Sequence, residues 1–132
     1  MRQQTRNQGF TLIELLVVVA IIGILSAVGV VSYGKYKTSA EKKQAEITLN
    51  SIYLAEQEYK SNNNGEYCIS SCRNTDDIVK NLFDGIDDLA AQAYSFKITN
   101  ADTLSIIATK KKNSSCTKTI TEKNKKADPK GC

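Results

Sequence analysis

Residues 9–31 read GFTLIELLVVVAIIGILSAVGVV, and this run decides what kind of chain follows. From Phe10 onward 17 of its 22 residues are apolar, and its one charged residue is Glu14. At 1.5 Å per residue a helix of that length reaches roughly 33 Å, enough to cross a hydrocarbon core of about 30 Å. A secretory signal peptide has a shorter apolar region followed by a small-residue cleavage site. Leu25-Ser26-Ala27-Val28-Gly29 fits that pattern poorly. Outside this run the supply thins: residues 32–132 hold 36 apolar residues among 101, little for a small core. The chain has no His and no Trp, one Met and four Cys. Those counts exclude a His-based triad, a His-ligated metal site and a His-held haem. They point to a membrane-inserted or exported protein.

Two features separate the run from an ordinary single-pass anchor. The polar leader, residues 1–9, ends in Gly9 and carries Arg2 and Arg6 without an acid. A carboxylate, Glu14, then stands near the start of the apolar segment. Near the middle of a spanning helix such a charge costs about 2.5–3.5 kcal/mol on insertion scales, and less near the interface. Glu14 therefore needs a partner or a function. The array Gly9, Phe10, Thr11, Leu12, Ile13, Glu14 closely resembles the start of type IV pilins and the related pseudopilins. The resemblance is specific from Gly9 to about Tyr36, looser through the rest of the helix, and gives almost nothing over the last seventy residues.

The resemblance implies that a dedicated prepilin peptidase cuts between Gly9 and Phe10 and methylates the new N-terminus of Phe10. The apolar helix then stays with the mature protein. Phe10, Thr11 and Glu14 are the expected assembly residues, with Glu14 meeting the Phe10 amine of a neighbouring subunit. The flanking charges do not orient the span by themselves. Arg2, Arg6 and the free amine precede it, while Lys35, Lys37, Lys42 and Lys43 follow it. Orientation rests on the leader and the cysteines. One departure from the family stands at Val31, where many pilins carry a proline. Gly23, Gly29 and Gly34 remain, each costing about 1 kcal/mol relative to alanine in a helix interior, and the helix is expected to loosen between Gly23 and Gly29 in a fibre.

Residues 32–60 contain no proline and are rich in Lys, Glu, Gln, Ala and Leu, all good helix formers. Ala45, Leu49, Ile52, Tyr53 and Tyr59 fall on one face at helical spacing and predict a core stripe. Ile47 and Leu54 fall on the opposite face, where they are either scattered surface apolars or contacts to other subunits. Ser61-Asn62-Asn63-Asn64-Gly65 marks the end. One helix over residues 10–60 would be roughly 75 Å long.

Residues 61–132 read as a small domain. Asn74 to Ala93 suits a short helix or helical loop through Ile78, Val79, Leu82, Phe83, Ile86 and Leu89, with Asp76, Asp77, Asp84, Asp87 and Asp88 on its polar side. Asp87 and Asp88 fit equally in a turn after Gly85. Tyr94, Phe96 and Ile98 alternate with polar residues, Asn100-Ala101-Asp102 reads as a turn, residues 104–109 as a second strand and residues 117–121 as a third. Short connections predict an antiparallel meander of three to four strands packed on the polar half of the long helix. The fold class is α+β, which the pilin resemblance also implies.

Cys68, Cys72, Cys116 and Cys132 allow three pairings. Zinc competes, but the spacing lacks paired C-x2-C knuckles and there is no His, whereas an exported domain meets oxidants. The favoured pairs are Cys68–Cys72 and Cys116–Cys132. The first would staple the loop after the long helix. The second would close a loop worth roughly 3 kcal/mol by chain entropy, and the pilin precedent supports it more than the first.

Between Lys110 and Lys130 eight lysines face Glu122 and Asp128. This basic stretch reads as solvated surface, as a contact to the Asp76–Asp88 region of a neighbouring subunit, or as a phosphate-binding surface for DNA. It has no Arg and no aromatic residue for base readout or stacking. Asn113-Ser114-Ser115 matches a glycosylation sequon, a short match that arises by chance. No base stands ready to activate a Ser or Thr, so no enzyme, cofactor or metal is expected.

The function expected from the resemblance is a structural subunit of a type IV pilus. It is made as a prepilin in the bacterial inner membrane and engaged there by the peptidase/N-methyltransferase and an assembly platform. It then polymerises with copies of itself into an extracellular fibre at the cell surface. The alternatives are a DNA-binding minor pilin and a pseudopilin of a type II secretion system.

Overall fold

The computed structural model describes residues 9–86, 89–99, 103–124 and 126–132. Residues 1–8, with Arg2 and Arg6 of the expected leader, lie outside the described residues, as do Asp87, Asp88, Lys125, the expected turn at Asn100-Ala101-Asp102 and the side chains of Val31 and Asp128. The chain forms two compact units, Met1–Thr38 and Ser39–Cys132. Helix α1 (Leu12–Asn62) contributes to both.

In the first unit every large apolar side chain from Phe10 to Val30 is exposed. By length and composition α1 is able to cross a membrane. The helix passes through Gly23, Gly29 and Gly34 without a break, and a Cβ at any of the three would meet nothing within 4 Å. Ser26 Oγ donates to the Ile22 carbonyl at 2.7 Å. Such back-bonding bends helices slightly.

The second unit is α+β. Its sheet has four antiparallel strands in the order β1 (Tyr94–Thr99), β2 (Ser105–Lys110), β3 (Asn113–Thr121) and β4 (Asp128–Lys130). Alternation sends Tyr94, Phe96, Ile98, Ile106, Ala108, Cys116 and Ile120 inward. Ala45, Leu49 and Ile52 of α1 join the same core, with Tyr53 and Tyr59 packed at its edge. Ile47 and Leu54 are exposed. After Asn62 the chain turns with positive φ at Asn64 and Gly65, and the Gly65 amide returns to the Lys60 carbonyl at 2.9 Å.

Three details differ from the sequence reading. The helix after the loop, α2 (Thr75–Leu82), does not continue through Ile86. Asp84 and Gly85 take positive φ and the Gly85 amide returns to Val79 O at 2.9 Å, a left-handed stop that leaves Ile86 exposed. A separate 3-10 turn, Leu89–Ala91, puts Leu89 back in the core. The third strand also begins at Asn113, four residues before the expected start. A register shift accommodates it: Lys110 pairs with Asn113 but Thr109 with Thr117, which places three residues in a bulge.

Candidate functional site

The start of α1 is built by Thr11 and Glu14. The Thr11 amide and hydroxyl both donate to Glu14 Oε2, at 2.8 and 2.7 Å, and the Glu14 amide donates to Thr11 Oγ1 at 3.3 Å. This is a reciprocal capping box, in which each side chain satisfies a backbone donor that the first helical turn leaves open. The spacing Thr11-x-x-Glu14 states it in the sequence, and the sequence reading used Glu14 without it. The cap fixes the carboxylate at the positive end of the helix dipole, three residues after Thr11 and four after Phe10. Gly9 and Phe10 precede the helix in irregular backbone and are exposed.

The second unit carries two disulfides, Cys68–Cys72 with Cα atoms 5.5 Å apart and Cys116–Cys132 with Cα atoms 4.6 Å apart. The second closes the end of β4 onto β3, where Thr117 pairs with Lys130 and Lys118 with Pro129. Gly131 makes this approach possible. Its φ is +65°, and a Cβ there would run into the Ser115 carbonyl. Lys42 on α1 donates to the Cys132 carbonyl at 2.9 Å.

The first disulfide lies beneath a loop held from several sides. Asn81 of α2 donates to the Ser71 carbonyl at 2.7 Å. Tyr67 donates to Glu122 at 3.0 Å and accepts from Lys60 at 3.1 Å, and the Lys60 ammonium sits 4.3 Å from the ring centre. Under the loop Glu56 is completely buried, and one oxygen, Oε2, accepts from the Cys68 amide at 2.9 Å. Burial raises its carboxyl above the ordinary carboxylate range, and the Cys68 bond only partly opposes this. A carboxylate oxygen of Glu56 and the sulfurs of Cys68 and Cys72 lie within 4.8 Å of one another. Joined in a disulfide, the sulfurs offer no thiolate, so the trio as it stands is not a metal centre.

Glu56 was legible as a charge within the core stripe, since it follows Ala45, Leu49 and Ile52 at helical spacing. Lys118 was legible in the same way, standing on the inward period of β3 between Cys116 and Ile120. It is buried and bonds Glu46 of α1. Lys110 pairs with Glu41 at 3.2 Å. Part of the basic stretch is therefore engaged by α1 of its own unit instead of forming a solvated phosphate-binding surface. Glu46 is held below the usual carboxylate range, chiefly by its bond from Lys118.

A family profile described as the prokaryotic N-terminal methylation motif matches residues 4–30. The chain is similar to the type IV major pilin protein PilA of Myxococcus xanthus, 42% identical over 60 residues, covering 46% of this chain and 27% of that protein. It is 38% identical over 74 residues to a fimbrial protein of Neisseria meningitidis serogroup A, covering 51% of this chain and 44% of that one. With the type IV major pilin protein PilE1 of Neisseria gonorrhoeae it shares 41% identity over 58 residues, or 44% and 35% of the two chains. The chain thus spans well under two thirds of the length of these relatives. No solved structure matches it significantly.

Proposed function

We propose that this chain, a type IV pilin by its N-terminal segment, is the structural subunit of a surface pilus. The observation that carries the reading is the juxtaposition at the start of α1. A capped glutamate sits four residues after Phe10, at the head of a helix whose large apolar side chains are all exposed from Phe10 to Val30. Such a surface is stable in lipid or against other copies of itself, and water alone does not satisfy it. In this reading the prepilin waits in the inner membrane, where prepilin peptidase cuts between Gly9 and Phe10 and the Phe10 amine is methylated. The assembly platform then delivers the subunit to the fibre.

Cutting creates an amine with a reference pKa of about 8, cationic at neutral pH. Within one subunit Thr11 already serves Glu14 through Oε2, so the carboxylate carries its negative charge into assembly with a single oxygen engaged by the cap. A neighbouring Phe10 amine neutralises it. Desolvation offsets much of the attraction, so the pair selects axial register more than it adds net stability. Replacing Glu14 with Ala should leave membrane insertion and cleavage intact, because the helix becomes more apolar, and should abolish polymerisation. Fibres of normal number and length from Glu14→Ala as the sole copy would refute the pairing.

A further inference from the structure

Glu56 presents a problem that pilus assembly does not use. Its Oε1 is buried without a hydrogen-bond partner, while Oε2 is satisfied by the Cys68 amide. A buried orphan acceptor costs about 1–3 kcal/mol and calls for a reason. The group beside it supplies one. Both sulfurs of the Cys68–Cys72 pair lie within 4.8 Å of a Glu56 carboxylate oxygen. When these cysteines are reduced, their thiols stand beside the carboxylate, within 4.8 Å of one of its oxygens.

We infer that Glu56 is the built-in proton acceptor that drives closure of the Cys68–Cys72 disulfide in the folded domain. A dithiol-oxidising disulfide, small or protein-borne, first exchanges onto one cysteine and releases one thiol. The remaining cysteine passes its proton to Glu56, and its sulfur electron pair attacks the partner sulfur. The Cys68–Cys72 bond forms, the mixed disulfide breaks, and the second thiolate of the oxidant leaves to take a proton from water. Two cysteine thiols are oxidised and one disulfide is reduced to two thiols.

Exchange runs through the thiolate, and a free cysteine is mostly protonated at neutral pH. A base in place therefore matters most below the thiol range. Raised by desolvation, Glu56 is better matched to accept a thiol proton than an exposed carboxylate would be. The groups that act on it are its own burial and the Cys68 amide, with no charged side chain contributing, and the titratable groups gathered at it are Cys68 and Cys72. Among the described residues no carboxylate is gathered with Cys116–Cys132: the Tyr94 hydroxyl lies 3.5 Å from Cys116 Sγ, and Cys132 Sγ faces the Thr117 and Lys130 carbonyls, at 3.8 and 3.4 Å.

The test uses the full chain in detergent, reduced and then mixed with oxidised glutathione. Closure of each pair is followed separately by acid quench, alkylation and peptide mass spectrometry. In the wild-type chain, the Cys68–Cys72 rate should hold up below the pH at which the Cys116–Cys132 rate falls. Glu56→Gln keeps an oxygen for the Cys68 amide but accepts no proton. It should slow Cys68–Cys72 closure at least about tenfold at pH 7, with little effect at pH 9, and leave Cys116–Cys132 unchanged as the internal control for folding. Two results would overturn the inference: identical pH profiles for the two pairs in the wild-type chain, or equal slowing of Cys68–Cys72 by Glu56→Gln at pH 7 and pH 9.

Discussion

Replacing Glu46 with Gln tests how α1 is fixed to the sheet. Lys118 keeps only 5% of its side chain exposed, whereas Glu46 keeps 30%. The two halves of the pair are therefore unequal. Without Glu46 the ammonium stays in the core with no carboxylate, and without Lys118 the carboxylate turns to water and to Lys43, 3.1 Å away. Breaking a fully buried pair costs about 3–5 kcal/mol. Partial exposure of Glu46 brings the expected loss for Glu46→Gln to about 2 kcal/mol, while Lys118→Met should cost less than about 1 kcal/mol because it removes the buried charge itself. For a unit of this size, 1 kcal/mol shifts Tm by about 4–8 °C, so Glu46→Gln should melt about 8–16 °C lower. The double variant should recover most of that. The assay is thermal unfolding of the full chain in detergent, read from tyrosine signals. The chain has no Trp, and Tyr94 lies in the core. A loss below about 2 °C for Glu46→Gln, or a double variant no better than the single, would refute the reasoning.

The pH dependence of stability should carry opposite signs from two glutamates. Glu56, raised by burial, contributes stability present below its unfolded pKa of about 4.3 and lost as pH rises through its folded value, so the Tm of Glu56→Gln should gain on wild type from pH 4 to pH 8. Glu46, lowered by Lys118, contributes stability present above about 4.3 and lost as pH falls through its folded value, so Glu46→Gln should approach wild type in acid. Gly131→Ala should lower stability by about 1–3 kcal/mol through positive φ and the Ser115 carbonyl, measured by the same melts together with faster reduction of Cys116–Cys132. In an assembled fibre, α1 should loosen between Gly23 and Gly29, where Ser26 already bonds back to Ile22; a fibre map with unbroken helix there would contradict this.

The long helix and the meander were legible because period and composition agree over many residues. Ala45, Leu49 and Ile52 repeat at helical spacing, Tyr94, Phe96 and Ile98 at strand spacing, and each set is buried as a set. Polar residues also stand on these inward periods, and the structure buries them. Glu56 and Lys118 are the two charged cases, and no local pattern shows their burial because the partner that each bonds lies 12 or 72 residues away in sequence. The helix stop at Asp84–Gly85 was hidden for another reason. Apolar residues continue through Ile86, and the positive backbone angles that end the helix are not part of a hydrophobic pattern. At the start of α1, Thr11 and Glu14 stand out by resemblance, while the three-residue spacing that makes them a cap follows from helix chemistry alone.

The proposed pilus function depends on what happens to the segment around Phe10. The measurement that tests it most directly is the intact mass and N-terminal peptide of this chain, taken from fibres sheared off cells that make it. A pilus subunit processed as proposed begins at Phe10, lacks residues 1–9 and carries one methyl group on its terminal amine. Recovery of the chain only in the membrane fraction, with residues 1–9 still attached and none in fibres, would contradict it.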